Sequence, residues 1–395
     1  MTEILWADPA DLQAAWRDGA RALREGRAGE ALAMFRRITD EGQPTAAVWI
    51  GVAMAHRALD DRSAERAALE RALALDPRNI HALMMSGDSH AATGDAKAAT
   101  AFYDAVVKLA AMGPVDPALQ PEVARAARMR ERYAQDYESH LRGVLDTHGL
   151  DGPEGRRMRR ALDLLLGKTS LYLQQPKYFY FPELPNIEWA ERGDFPWLDR
   201  VEAAADDIRR ELLQVLEEDA AFQPYVQAAE GRPNFDNLGL MGNPEWSAFY
   251  IWKDGAIVPE NAARCPSVVR AMEGVPLCTI PGRTPSVLFS LLRPGAHIPP
   301  HHGFTNARYI CHLPLIVPGN CAMRVGSETR PWVEGKACVF DDSIEHEAWN
   351  RHPDQLRVVL IFDIWRPELS AAERELIGAT LQAVDAFGGA PHTGD

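Results

Sequence analysis

Long apolar runs are missing from this chain: none of its 395 residues lies in a stretch approaching the roughly 18 that a membrane-spanning helix needs. Cysteine is scarce too. The five, at 265, 278, 311, 321 and 338, form no CxxC pair and no even framework, and so read as reduced, mostly buried thiols. Basic charge is in deficit, with 42 Lys and Arg against 56 Asp and Glu. The resulting net charge of −14 would repel phosphate backbones and anionic lipid, which argues against nucleic acid and membrane surfaces as partners. The opening MTEILWADPADLQAAW has no basic start followed by an apolar core, so no secretory signal is visible and a cytoplasmic location is expected. What is present is a soluble globular composition, 46% hydrophobic and 25% charged, long enough for two or three domains.

The first third repeats itself. Leu12–Thr45, Ala46–Asn79 and Ile80–Gly113 superpose at a spacing of 34 residues. Small residues (Gly19, Ala53, Gly87) recur at the eighth position, where two helices of a hairpin must approach closely. Gly26, Asp60 and Gly94 recur at the fifteenth, where the chain turns. Phe35, Leu69 and Tyr103, followed three residues later by Ile38, Ala72 and Val106, lay out one face of a second helix. This looks like the tetratricopeptide repeat over about residues 11–113, with Glu65 departing from the small residue usual at the twentieth position. Stacked hairpins leave a concave groove, so a peptide or protein partner is expected; a merely stabilising appendage is the alternative.

The proline-marked MGPVDPALQP (112–121) ends the array, and a helical connector is expected over 114–170, with helices near 122–145 and 155–166. From 171 to 385 the texture changes. One amphipathic helix is expected at 198–218, and short strands at 286–292, 307–317, 321–325, 337–341 and 356–365, separated by RPG, PGN and VEGK turns. That spacing suggests a sandwich or barrel. Alternation puts Arg308, Ile310 and His312 on one side of the second strand, with Tyr309, Cys311 and Leu313 on the other, and sets Arg357 beside Val359, Ile361 and Asp363.

Polar groups therefore fall where a sealed core would be apolar. Arg357 within LRVVLIF needs an anion: either an internal one, with Asp341, Asp342 or Asp363 available, or a ligand. His301, His312 and His346 are expected near one end of the same sheets, with Ser290 on the strand leading toward His301. A histidine pair from separate strands suits a divalent metal, though hydrogen-bonded structural histidines would read the same. The carboxylate that often sits two residues after the first histidine is absent, because that position is Gly303. Asp341 and Asp342 would either orient His346 or cap a turn.

PHHGFTNARYICHLPL, ETRPWVEGKACVFDDSIEHEAWN and RVVLIFDIWRPEL together resemble the aspartyl/asparaginyl β-hydroxylase family of 2-oxoglutarate-dependent oxygenases, over about residues 176–380. The resemblance implies an α+β multidomain chain, with a tetratricopeptide solenoid followed by a double-stranded β-helix (jelly-roll, cupin-like) catalytic domain. It implies iron held by two histidines and no carboxylate, so that Gly303 fits the family. His301 and His346 match the metal ligands, Ser290 and Arg357 the anchors of the distal carboxylate of 2-oxoglutarate, and His312 another cosubstrate contact. Some members carry arginine where this chain has Ile310, leaving Arg308 to substitute or to touch substrate instead. The activity implied is Fe(II)-, 2-oxoglutarate- and O2-dependent hydroxylation of an Asp or Asn side chain in a peptide or protein. Alternatives are a hydroxylase of a lipid or small metabolite, or an inactive scaffold working through its repeats.

Overall fold

The computed structural model describes residues 9–41, 44–218, 221–227 and 239–388. Residues 42–43 of the first repeat, and 219–220 and 228–238 of the C-terminal region, lie outside them. The chain divides into two compact units, Met1–Leu166 and Gly167–Asp395.

In the first unit, α1 (Pro9–Arg24) and α2 (Ala28–Glu41), α3 (Ala46–Ala58) and α4 (Arg62–Leu75), and α5 (Ile80–Ala92) and α6 (Ala96–Ala111) form three antiparallel hairpins of tetratricopeptide type. The periodic residues do what their spacing requires. A Cβ at Gly19 would lie 2.7 Å from the Phe35 ring, and one at Gly87 would lie 2.7 Å from that of Tyr103. In the middle repeat the corresponding pair, Ala53 and Leu69, is buried in the shared core. The turns at Gly26, Asp60 and Gly94 have φ of 76°, 59° and 77°, the left-handed region that glycine and aspartate tolerate best. Asp61 and Asp95 then accept the amide hydrogens of Ala64 and Ala98, capping the second helices. Glu65, the departure from the repeat, is fully buried and takes Arg57 Nε at 2.5 Å and Arg62 Nη1 at 3.3 Å.

The expected connector begins as a continuation of the array. Along α7 (Gln120–Asp146), Val123, Ala126, Met129 and Tyr133 join the core that holds Tyr103 and Val106. Arg125 of α7 donates twice to Asp88, at 2.8 Å each, beside the Tyr103 hydroxyl. A short helix α8 (Arg156–Leu165) follows.

The second unit is a double-stranded β-helix built from two antiparallel sheets. The larger runs β1 (Gln223–Pro224), β2 (Trp246–Lys253), β4 (Val287–Leu292), β11 (Arg357–Trp365), β6 (Arg308–Ile316) and β9 (Cys338–Phe340), with β3 (Ala256–Ile257) on β2. The smaller runs β5 (His297–His301), β10 (His346–Asn350), β7 (Cys321–Val325) and β8 (Glu328–Pro331). Alternation sorts the faces as expected. Tyr309, Cys311, Leu313, Val358, Leu360 and Phe362 pack outward against α9 (Leu198–Ala203), α10 (Ala205–Leu216) and α12 (Pro266–Met272), α12 itself following α11 (Pro259–Arg264). Ile310, Val359 and Phe340 turn inward to meet Ile298, Met323, Val325 and Ala348 of the smaller sheet. The single helix expected at 198–218 is parted at Ala204 into α9 and α10. A final helix, α13 (Ala371–Gly388), contributes Ile377 and Leu381 to a third cluster with Phe304 and Trp365.

Six strands lie outside the ranges expected from sequence (β1, β2, β3, β5, β8 and β10), and two of them, β5 and β10, carry site histidines. His301 ends β5 and His346 begins β10, both outside the strand ranges expected from sequence. β5 reads HIPPH, and its adjacent prolines hide its strand character. Because β5 is the edge of its sheet, the ladder tolerates them.

Candidate active site

The inner faces of the two sheets enclose a cavity of about 270 Å³, lined among others by Ser290, His301, Arg308, His312, His346, Arg357 and Asp363. All six residues expected at the site from sequence (Ser290, His301, Arg308, His312, His346 and Arg357) thus reach one space.

His301 and His346 are direct partners in the β5–β10 register, and their ring centroids lie 4.1 Å apart. Each ring is fixed through Nδ1 by a carbonyl two residues earlier, Pro299 O at 2.8 Å and Ile344 O at 3.0 Å. An imidazole that donates from Nδ1 keeps a lone pair on Nε2, the form a metal takes. Burial holds both rings neutral, pushing His301 down to about 4 and His346 well below its ordinary value, with the neighbouring ring adding to the effect on His346. Among the described residues, no group of three or more His, Cys, Asp or Glu is arranged to hold a metal, so the pair stands without a carboxylate. At Gly303 no side chain fits, because the Asp342 carboxylate, bound to Arg308, occupies the space a Cβ would need.

Opposite the histidines, Arg357 of β11 is 1% exposed. It donates to Ser290, with Nη1 at 3.3 Å from the carbonyl and 3.5 Å from Oγ, and its guanidinium lies 4.6 Å from the centroid of the Trp332 ring. Its Nε has no acceptor among the described residues. The three carboxylates that might have neutralised it are engaged elsewhere. Asp341 meets Arg366 at 2.8 Å, while Asp342 and Asp363 meet Arg308 at 3.2 and 3.1 Å. Left in an apolar setting, Arg357 is pushed down to about 10 by burial. Next to it His312 is buried with Nδ1 unbonded, and burial, followed by the Arg357 charge, lowers it to about 3. An unneutralised guanidinium and an unbonded imidazole nitrogen beside the same cavity fit an anionic, hydrogen-bonding ligand.

Arg308 is different. It lines the cavity, but its guanidinium already bridges two carboxylates, so it is not an open cation replacing a basic group at Ile310. Asp341 caps the turn before His346 by accepting from the backbone and hydroxyl of Ser343, and Asp342 packs against Gly303 and Arg308. Asn306 ties the loop after His301 to the 174–181 segment, accepting from Phe181 N and donating to Phe181 O and Gln174 Oε1. Phe179 and Phe181 pack inside this unit, and Tyr178 stacks on Phe304, so the aromatic segment lies off the cavity. His297 is paired with Glu347 at the surface; His302 and Lys177 sit at the cavity lining. Trp246 and Tyr225, not singled out from sequence, line the cavity as well.

Residues 202–367 match the family described as Aspartyl/Asparaginyl beta-hydroxylase. The chain is 30% identical over 208 residues to the human Aspartate beta-hydroxylase domain-containing protein 2, covering 52% of this chain and 54% of that one. It is 34% identical over 198 residues to the Ornithine lipid ester-linked acyl 2-hydroxylase of Rhizobium tropici, covering 47% and 66%. The match thus spans about half the length of the human relative. Among solved structures, the Sgt2 TPR domain from Aspergillus fumigatus aligns at 17% identity and a TM-score of 0.30, over 35% of this chain and 87% of that one.

Proposed function

We propose that this chain, whose residues 202–367 belong to the aspartyl/asparaginyl β-hydroxylase family, is an Fe(II)- and 2-oxoglutarate-dependent hydroxylase. One observation carries the reading. Across a single cavity, two imidazoles whose Nδ1 atoms are bound to carbonyls face a buried guanidinium that, among the described residues, has no carboxylate beside it. The imidazole pair suits a first-row divalent metal, and the fixed guanidinium suits a carboxylate. A 2-oxo diacid offers a chelating end to one and a carboxylate to the other.

His301 and His346 would hold iron through Nε2, their rings kept in place by the Pro299 and Ile344 carbonyls. Arg357 and Ser290 would take the distal carboxylate, and neutral His312 would offer a hydrogen bond without adding charge. Leu288, Ile298, Met323, Phe340 and Ile361 wall the cavity and keep bulk water from it. Iron and 2-oxoglutarate, when bound, supply the oxygen activation, with succinate and CO2 formed as substrate is hydroxylated.

The substrate proposed is an Asp or Asn side chain of a peptide or protein, hydroxylated at Cβ and recruited by the helical hairpins. The family description supports this choice. A second reading, an acyl chain of a lipid, is favoured by the name of the Rhizobium relative. The test supplies the full-length protein with Fe(II), 2-oxoglutarate and O2, adds Asp- or Asn-containing peptides or an acyl lipid, and follows succinate and the mass of one added oxygen. Oxygen on the peptide side chain is expected. Oxygen on the acyl chain selects the second reading, and no metal-dependent succinate with any substrate contradicts both.

A further inference from the structure

Resting on that reading, we infer that Trp246 is a positioning residue that makes the Ser290 hydroxyl an obligatory donor to the bound ligand. Ser290 lies on β4, is 1% exposed, and lines the cavity. Its Oγ receives two hydrogen bonds, from Trp246 Nε1 at 3.1 Å and from Arg357 Nη1 at 3.5 Å. A hydroxyl has two acceptor sites and one hydrogen to give, and neither indole nor guanidinium can accept that hydrogen. With both neighbours restricted to donating, the O–H points away from each of them and toward the cavity. Serine alone would choose among rotors; between these two neighbours it has one outward direction.

The indole itself is held firmly. Trp246 stacks on Tyr225 with centroids 4.0 Å apart and planes 8° apart. The β2–β4 register pairs Ala248 with Ser290, which brings the Trp246 side chain, two residues along the same face, diagonally over the serine. Arg357 then contributes charge and Ser290 a directed hydrogen to the same side of the cavity. Together they favour a ligand group that accepts from both, which a carboxylate does. Trp246 therefore acts on the ligand through Ser290.

The test loads the full-length protein with Mn(II) and measures 2-oxoglutarate affinity by calorimetry for wild type, Trp246→Phe, Ser290→Ala and the double variant. Phenylalanine keeps an aromatic ring beside Tyr225 and removes the donor together with the pyrrole ring that carries it. Trp246→Phe should weaken 2-oxoglutarate binding by about tenfold, the scale of a hydrogen bond to a charged group. Ser290→Ala should weaken it at least as much, the double variant no more than Ser290→Ala, and Mn(II) affinity should stay unchanged throughout. Wild-type affinity in Trp246→Phe, a further loss when it is added to Ser290→Ala, or a parallel loss of Mn(II) would each overturn the inference. If wild type itself takes up no 2-oxoglutarate, the hydroxylase reading fails, and this inference with it.

Discussion

The two units differ in how they treat one buried charge. In the helical unit the buried Glu65 is matched by Arg57 and Arg62, and the half-buried Asp88 by Arg125 and the Tyr103 hydroxyl. In the β-helix Arg357 is buried with no carboxylate partner among the described residues, while Asp341, Asp342 and Asp363 are bound to other arginines. Matched buried charge belongs to architecture. A buried charge held open, beside two histidines with free nitrogens, is stability set aside for a ligand.

Substitutions that remove the open groups should have the largest effect on activity and little on the fold. His301→Ala or His346→Ala should abolish Fe(II)-dependent succinate formation, since either loss leaves one protein ligand among the described residues. Near-wild-type turnover in both would end the metal assignment.

Arg357→Met sharpens the contrast. It should raise the 2-oxoglutarate requirement by at least about tenfold, in line with the roughly 3–5 kcal/mol of a broken buried pair. Yet the ligand-free protein should be little less stable, because methionine replaces a charge that has no carboxylate partner among the described residues. In the hairpins, Glu65→Ala should do the reverse. Stability should fall by about 1–2 kcal/mol, discounted because Arg57 and Arg62 are 30% and 38% exposed, with 2-oxoglutarate affinity untouched. Chemical denaturation and cosubstrate titration of the two variants decide the matter, and similar behaviour in both would erase the distinction.

How much of this was legible beforehand follows from the range of the interactions. The hairpins were readable from a period because Gly19 meets Phe35 and Gly87 meets Tyr103 within one repeat. The inward and outward faces of β6 and β11 were readable because alternation is local. The partner of Arg308 was not, since Asp342 and Asp363 come from other elements and meet it only through strand pairing and the turn before β10. Nor was β5, whose two prolines conceal an edge strand. Trp246 gave only a weak signal, one tryptophan among ten, because its role depends on the β2–β4 register.

Acid should separate the units more gently. His312 is lowered to about 3 by burial and then by Arg357, against an ordinary 6.5. Below about pH 6.5 the unfolded chain therefore binds a proton that the folded one refuses. Stability of the β-helix should decline as pH falls from about 6.5 toward about 3 and level off below that. Asp88 behaves otherwise. Burial opposes its ionisation, but the Arg125 and Tyr103 hydrogen bonds outweigh it and hold its carboxyl below 3.8, so its contribution is lost only as pH falls through the carboxylate range. Hydrogen exchange of the metal-free protein at pH 7.5 and 5, read separately for the two units, should show the β-helix loosening first; equal loosening would sink the prediction.

The smallest effect concerns the repeats. Truncation before Glu122 removes the three hairpins and none of the cavity residues, so, on the proposal that they recruit a polypeptide, it should raise KM for a long substrate and leave a short one nearly unaffected. It also strips α7 of the core it shares with Tyr103 and Val106, and equal loss on both substrates would mean that the repeats serve stability alone.

The most direct test of the open-charge account is an anaerobic titration of 2-oxoglutarate into the Fe(II)-loaded protein, followed by the visible charge-transfer band that a chelated 2-oxo acid gives with iron. The account predicts a saturating band in wild type, none in His346→Ala, and one in Arg357→Met that needs at least about tenfold more 2-oxoglutarate. Fe(II) retained without any band, or a band with equal affinity in Arg357→Met, would contradict it.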